Sequence, residues 1–145
     1  MRNFRFFCSV FCLLACCSCN SNTSFLIEET NLEYPHQIIE WDELFSIREE
    51  KYYVYVYSLD CYYCKEIKQD VLEFYQTSEN SIFFIEYSES IPIKNDIEKT
   101  IGERDICNLF IKGTPTLIEI NKGSVNFNVA GKSKVIKMID LINNQ

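Results

Sequence analysis

One segment that leads directly into two closely spaced cysteines constrains the fold of this chain more than any other feature. Residues 51–58 read KYYVYVYS, which is β-branched and aromatic throughout and predicts a buried strand from about Tyr52 to Tyr57. Cys61 and Cys64 follow, and the next segment, KEIKQDVLEFYQ, places its apolar side chains on one face of a helix. The sequence therefore predicts a strand, a cysteine pair and a helix as one continuous unit.

The rest of the chain continues this alternation of strands and helices. The predicted elements are, in order, a short edge strand in PHQII, a helix in WDELFSIREE, a buried strand in SIFFIEY, two short helices around Gly102, two strands around a Lys122-Gly123 turn, and a closing helix in SKVIKMIDLINN. Together with the first unit, the order is β-α-β-α-β-α-β-β-α. This order predicts an α/β fold with a central mixed sheet, made of a parallel core and a C-terminal antiparallel hairpin and flanked by helices.

Three kinds of site use two cysteines at this spacing. A zinc site needs four ligands, and outside the N-terminal segment the chain offers only Cys107 and His36 besides the pair, neither with a partner at zinc spacing. A structural disulfide is a second possibility, but a bridge that closes a loop of two residues constrains the unfolded chain very little. A redox-active pair is the third interpretation, and we favour it.

The position of the pair between strand and helix suits redox chemistry. In mid-helix, side chains three residues apart have Cβ atoms about 5–6 Å apart, whereas a disulfide needs about 3.5–4.5 Å. At the first turn the leading residue is only half helical and can close that gap. Cys61 would also face the unpaired N–H groups of the helix, which favour a thiolate. The sequence thus predicts Cys61 as the attacking nucleophile and Cys64, one turn deeper, as the buried resolving thiol.

Two further motifs complete a resemblance to the thioredoxin-fold family that runs from about Pro35 to Asn143. After the strand, CYYCK resembles the active-site motif of that family, IKGTPTLIEINKG resembles its Gly-x-Pro-Thr loop and hairpin, and AGKSKVIKMIDLI resembles its closing glycine and helix. The resemblance implies thiol–disulfide oxidoreductase activity on protein or peptide thiols and disulfides, with no cofactor and with a separate redox partner. Oxidase, reductase and isomerase branches of the family all use such a pair.

The resemblance also implies a role for the loop that contains Thr114 and Pro115. Pro115 is expected to be cis and to pack beside the cysteine pair, because proline is the residue that adopts a cis peptide bond at low cost. The backbone of Thr114 would then be free to pair with an extended substrate segment. The alternative is an ordinary proline at the start of a strand.

Three positions depart from the family pattern. Tyr55 stands where members that reduce disulfides often carry a buried acid, and Glu86 is a poor substitute for that acid. The segment before GTPT is longer than in minimal thioredoxins, which predicts an inserted helix. Tyr62 and Tyr63 replace the Gly-Pro pair of cytosolic thioredoxins and would offer an aromatic rim for binding a peptide substrate.

Three residues outside these motifs receive structural interpretations. Cys107, in ICNLF, is surrounded by apolar residues and is expected to be a buried small hydrophobe, with a second redox partner as the alternative. His36 and Trp41 are expected to be structural rather than catalytic.

The N-terminal segment predicts export. Arg2 and Arg5 precede an apolar run of about ten residues, too short to span a bilayer, and the run ends in LLAC, which resembles the lipobox of bacterial lipoproteins. We expect a signal peptide at 1–15, lipidation at Cys16, a polar tether at 16–34 and a thioredoxin-like domain at 35–145. Cys17 or Cys19 as the lipidated residue, a plain signal peptide and an uncleaved anchor are the alternatives.

The charge of the chain excludes one class of partner. With a net charge of −7, the chain has no electrostatic footprint for nucleic acid.

The predicted protein is an exported thiol–disulfide oxidoreductase, held by a lipid anchor on the extracytoplasmic side of a bacterial membrane. A non-enzymatic binding or transport-accessory module with a passive disulfide is the alternative from another functional class.

Overall fold

The structure is a computed structural model, and it describes residues 33–35 and 37–144. The predicted signal peptide, the lipidation site Cys16, almost all of the predicted tether, and His36 lie outside the described residues. Glu33 and Tyr34 from the end of that tether are described, and Tyr34 packs against the core rather than standing clear of it.

The secondary structure follows the predicted order. The helices and strands are a 3₁₀ helix (Trp41–Ser46), β1 (Lys51–Tyr57), α1 (Tyr62–Glu66), α2 (Lys68–Thr77), β2 (Ser81–Glu86), two 3₁₀ helices (Ile97–Thr100 and Ile106–Asn108), β3 (Thr116–Asn121), β4 (Ser124–Ala130) and α3 (Lys132–Asn143). The helix predicted after the cysteines is divided at Ile67 into α1 and α2. The helix predicted around Trp41 is a 3₁₀ helix of six residues.

The four strands form one mixed sheet in the order β2-β1-β3-β4. β1 pairs with β2 in parallel, β3 pairs antiparallel with both β1 and β4, and Ile38 adds a parallel bridge to Phe84 on the outer side of β2. Lys122 and Gly123 join β3 to β4 with φ angles of 52° and 71°, the positive values that a tight hairpin turn requires. The predicted mixed sheet with a C-terminal antiparallel hairpin is confirmed.

β1 is buried on both faces, and each face contributes to a separate core. Tyr53, Tyr55 and Tyr57 point to the face that α1, α2 and α3 cover. The residues between them point to the opposite face, which the 3₁₀ helices and loops cover. Alternate side chains of a strand always point to opposite faces, so a strand with both faces covered must be apolar or aromatic throughout.

The segment between β2 and β3 refines one prediction. Residues 87–115 are all described and form no α-helix, so the helix that their number suggested is present only as the two short helices predicted from the sequence pattern. They contain the two short 3₁₀ helices on either side of Gly102, which has a φ of 85°. Apolar side chains at Ile91 and Leu109 reach the core from an irregular backbone, and no helical repeat is needed to bury them.

A buried asparagine attaches this irregular segment to the sheet. The Nδ2 amide of Asn128, on β4, donates hydrogen bonds to the Phe110 carbonyl at 2.9 Å and to the Thr100 hydroxyl at 3.1 Å. Asn128 and Thr100 are both buried, so water cannot replace these bonds.

Replacing Asn128 with alanine should lower the free energy of unfolding by about 1–3 kcal/mol, because the buried Phe110 carbonyl would lose its donor. Urea denaturation measures the change. Asn95→Ala is the control, since that side chain is exposed in the same irregular segment and its loss should change the free energy by less than about 1 kcal/mol. Equal losses in the two variants would contradict the anchoring role of Asn128.

Candidate functional site

The two cysteines of the pair occupy the junction of β1 and α1. After β1 the chain turns through Ser58, whose carbonyl accepts the Cys61 N–H at 3.1 Å. Cys61 is the N-cap of α1, and its Sγ accepts the backbone N–H of Cys64 at 3.2 Å. Cys61 is half-buried, whereas Cys64 is 1% exposed. One sulfur therefore reaches solvent and the other does not.

The loop before β3 lies against the accessible sulfur. The Thr114-Pro115 peptide bond is cis, as the sequence predicted, and the Cys61 thiol donates to the Thr114 carbonyl at 3.4 Å. The Pro115 carbonyl accepts the Gly131 N–H at 2.8 Å, which ties the loop to the start of α3. Residues far apart in sequence thus meet at the end of β1.

The surroundings shift the pKa values of the two thiols in opposite directions. Partial burial raises the pKa of Cys61, but hydrogen bonds to its sulfur from the Cys64 and Thr114 side chains and from nearby backbone N–H groups outweigh this and hold the pKa below its ordinary value. Burial, with a further contribution from Cys61, raises the pKa of Cys64 to about 11. At neutral pH the accessible sulfur is the one favoured as thiolate.

Two aromatic side chains form the rim around the pair. Tyr62 and Tyr63 are 68% and 55% exposed, and their rings meet edge to face at 5.6 Å. Leu59, before the pair, is also exposed. A shallow cavity of about 310 Å³ lies between Tyr63 and residues 130–134 at the start of α3. The structure places Tyr62 and Tyr63 beside the pair, and their binding of substrate stays a prediction.

A larger cavity is unrelated to the cysteines. It measures about 620 Å³ and is lined by Lys51, Tyr53 and Thr77, among others, at the opposite end of β1. Its lining contains no cysteine. The pair itself therefore lies at a shallow part of the surface, outside this cavity.

Two tyrosines lie near the pair: Tyr55, which stands in place of the buried acid of some relatives, and Tyr34, which no sequence motif singled out. Tyr34 packs its ring over Tyr57, with centroids 3.9 Å apart, and also contacts Tyr55 at 6.1 Å. Tyr55 is completely buried on the same face of the sheet as Cys64. The alternation along β1 could have placed Tyr55 on this face, whereas nothing in the sequence indicates the contact made by Tyr34.

The prediction that Cys107 is a buried hydrophobe is wrong. Its side chain is exposed, although Leu109 and Phe110 beside it are buried. Asp105 caps this 3₁₀ helix by accepting the Cys107 N–H at 2.9 Å, and the short helix directs Cys107 outward. Apolar neighbours in sequence therefore did not imply a buried position.

Two structural searches of the described residues concern alternatives considered above. Within residues 33–35 and 37–144, no three His, Cys, Asp or Glu side chains are grouped so that they could hold a metal ion. Over the same part of the chain, no helix combines the length and the apolar character that crossing a membrane requires.

Comparison with known proteins identifies the fold. No protein-family model matches the chain, and no curated protein matches it. Among solved structures, thioredoxin f2 of Chlamydomonas reinhardtii is 17% identical and superposes over 74% of this chain and 93% of its own, with a TM-score of 0.51. Thioredoxin f from spinach chloroplast, in its short form, is 16% identical over 73% of this chain and 91% of its own, also with a TM-score of 0.51.

A mitochondrial protein gives the same result. Thioredoxin 3 from Saccharomyces cerevisiae is 16% identical over 74% of this chain and 93% of its own, with a TM-score of 0.50. These similarities show that the chain has the α/β thioredoxin fold that the sequence predicted.

In the fully reduced protein, iodoacetamide should label Cys61 before Cys64. Hydrogen bonds hold the pKa of Cys61 below its ordinary value, whereas burial raises the pKa of Cys64 to about 11, so the labelling rate of Cys61 should rise at lower pH than that of Cys64. Peptide mass spectrometry at a series of pH values measures each site separately, with exposed Cys107 as the internal reference for accessibility. Faster labelling of Cys64 would contradict the assignment.

Proposed function

We propose that this protein is a thiol–disulfide oxidoreductase that acts on protein or peptide substrates through Cys61 and Cys64. One observation carries the proposal. The half-buried Cys61 sulfur has a lowered pKa and lies between the Cys64 N–H and the Thr114 carbonyl, with the Cys64 thiol buried behind it. An accessible thiolate beside a protected second thiol is the arrangement that two-step exchange requires.

The first step forms a mixed disulfide. The Cys61 thiolate attacks one sulfur of a substrate disulfide, the substrate S–S bond breaks, and the departing substrate sulfur takes up a proton.

The second step resolves the mixed disulfide. The Cys64 sulfur gives up its proton and attacks Cys61, the bond between Cys61 and the substrate breaks, and the second substrate sulfur leaves as a thiol. The protein is then oxidised by two electrons, and a separate redox partner must reduce it again.

The reverse sequence oxidises a substrate dithiol with the same two cysteines. The lowered pKa of Cys61 stabilises the reduced pair and so raises its reduction potential, which favours this direction relative to an unperturbed pair. In either direction the chain carries the electrons in its own sulfurs and uses no cofactor.

The surface around Cys61 supports a polypeptide substrate. The backbone of Thr114 lies beside Cys61, where an extended segment could pair with it, and the exposed rings of Tyr62 and Tyr63 would cover apolar substrate side chains. Pro115, which has no N–H, completes this loop. These four residues form the proposed substrate-binding surface.

We also propose that the protein is exported and lipid-anchored at Cys16, on the extracytoplasmic side of a bacterial membrane. The support is the sequence pattern alone: two arginines, a short apolar run and the LLAC segment. An oxidising or redox-managed compartment would suit a cysteine pair that must be reset by a partner.

Cys64→Ser should trap substrates as covalent complexes, because Cys61 can still attack but nothing resolves the mixed disulfide. Cys61→Ser should trap none. Non-reducing electrophoresis of the membrane fraction, followed by mass spectrometry of the trapped bands, measures this. Cys107→Ser is the matched control, since that thiol is exposed outside the pair and the variant should behave as the wild type.

Insulin-disulfide turnover decides between the enzyme and the accessory module. The wild type should reduce insulin in the presence of a dithiol reductant, and both Cys61→Ser and Cys64→Ser should lose turnover. Absence of turnover in the wild type together with no trapping by Cys64→Ser would make a passive binding module the better account.

Lipidation at Cys16 is tested on protein purified from a bacterial membrane. Intact-mass and N-terminal peptide analysis should find a mature chain that begins with an acylated Cys16. In Cys16→Ser the acyl group should be absent and the protein should leave the membrane fraction. An unmodified wild-type chain that starts elsewhere would remove this part of the proposal.

A further inference from the structure

The Tyr55 hydroxyl is a buried polar atom without a hydrogen bond. Tyr55 is 0% exposed, and its hydroxyl has no partner among the residues that the structure describes. Burial of an unpaired hydroxyl is unfavourable, and phenylalanine would fill the same space without it. Packing of the ring therefore explains why an aromatic residue occupies this position but does not explain the hydroxyl.

The residues packed around Tyr55 include Cys64, the buried thiol of the pair. Tyr55 and Cys64 belong to the same core cluster on the helix-covered face of the sheet. The ring of Tyr55 stacks on Tyr57 at 6.2 Å, and Tyr34 covers both rings from outside. Among the described residues, the titratable groups next to Tyr55 are Tyr34 and Cys64. Tyr34 in turn lies near Tyr57 on β1 and Cys61 at the start of α1, and the Nζ of Lys68 on α2 lies 4.6 Å from its ring centre.

Tyr55 stays protonated in this environment and can therefore serve as a hydrogen-bond donor. Burial raises the pKa of Tyr55 far above its ordinary value, and the Tyr34 hydroxyl and the Cys64 thiolate raise it further. The phenol therefore keeps its proton at every pH at which the protein works. A carboxylate at this position could accept the proton of Cys64, whereas a phenol of this kind cannot.

Cys64 needs such a donor when it reacts. Its pKa is raised to about 11, so the thiolate that resolves the mixed disulfide is strongly disfavoured at neutral pH. A hydrogen bond to a charged sulfur in a buried, low-dielectric site is stronger than the same bond in water.

We propose that the Tyr55 hydroxyl donates a hydrogen bond to the Cys64 sulfur as that sulfur becomes a thiolate, and thereby accelerates resolution of the mixed disulfide. This inference rests on the proposed exchange function of the pair. In the step, the Cys64 proton passes to the departing substrate sulfur, the Cys64–Cys61 bond forms, and the bond between Cys61 and the substrate breaks. Tyr55 keeps its own proton throughout.

Tyr53 provides a matched control. It lies on the same strand and the same face, it is also 0% exposed, and its hydroxyl likewise has no hydrogen bond among the described residues. Its ring packs on Phe74 and Phe127 near Lys51, towards the other end of β1. Tyr53→Phe therefore removes a buried hydroxyl whose titratable neighbours are Lys51 and Glu119 rather than Cys64.

The experiment follows the lifetime of a mixed disulfide in the full-length chain. Reduced protein is mixed with oxidised glutathione, samples are quenched with acid, and mass spectrometry of the peptide containing Cys61 and Cys64 resolves the adduct from the internal disulfide. In Tyr55→Phe the adduct should last about tenfold longer, the effect of losing one hydrogen bond to a charged group. Between pH 6 and 9, the plot of its decay rate against pH should have the same slope as that of the wild type but lie at higher pH, because the Cys64 thiolate would form less readily without the hydrogen bond. Tyr53→Phe should match the wild type.

A graded variant keeps the test independent of folding effects. Tyr55→3-fluorotyrosine retains the ring and hydroxyl but makes the hydroxyl more acidic and so a better donor, and its adduct should decay faster than that of the wild type. Wild-type decay in Tyr55→Phe, equal slowing in Tyr53→Phe, or slowing with fluorotyrosine would each overturn the role of Tyr55.

Insulin turnover separates this inference from the proposed function. If the wild type turns over insulin and Tyr55→Phe resolves the glutathione adduct normally, the function stands and the role of Tyr55 falls. If the wild type leaves insulin untouched and Tyr55→Phe alone slows decay of the adduct, the hydrogen bond stands and the activity on protein substrates falls.

Discussion

The burial of β1 on both faces is the constraint on which the rest of the structure depends. Every residue from Tyr52 to Tyr57 is at most 2% exposed, and burying one large apolar side chain contributes about 1.5–3 kcal/mol. β1 also lies between β2 and β3 in the sheet, so its backbone is hydrogen-bonded on both sides. The C-terminal end of β1 is therefore fixed in position by the sheet, and Cys61 follows it in the turn that leads to α1.

The two thiols differ because one short turn leaves the first at the protein surface and places the second in the interior. As N-cap, Cys61 stays outside the first helical turn and receives an N–H from within it. Cys64, inside that turn, is carried into the core that β1 shares with α2 and α3. Hydrogen bonds, including one with Thr114 from the distant loop, lower the pKa of Cys61, and burial raises the pKa of Cys64. The local turn and that loop together separate an accessible thiol from a protected one.

The sequence predicted the features that local signals specify. An aromatic and β-branched run predicted β1, and the Lys122-Gly123 turn predicted the hairpin. The position of Pro115 beside the cysteines was implied by the resemblance of the Gly-Thr-Pro-Thr motif to the loop of a known family. Features that depend on distant packing were missed. Cys107 is exposed because a cap at Asp105 sets the direction of a three-residue helix, and Tyr34 reaches the core through contacts that no local pattern encodes. Segment length alone suggested a helix before β3, where irregular backbone buries the apolar residues equally well.

The tyrosines of β1 show how a buried strand can combine packing with chemistry. Tyr52, on the loop-covered face, donates its hydroxyl to the Leu44 carbonyl at 2.5 Å, so that polar group is satisfied. Tyr53 and Tyr55, on the helix-covered face, have unpaired hydroxyls among the described residues. Burial makes both hydroxyls unfavourable in the resting protein, and it also strengthens any hydrogen bond that either makes to a charge. Of the two, Tyr55 is the one that neighbours Cys64. In the proposed exchange mechanism, the same burial that opposes ionisation of Cys64 would make this neighbouring donor effective when ionisation occurs.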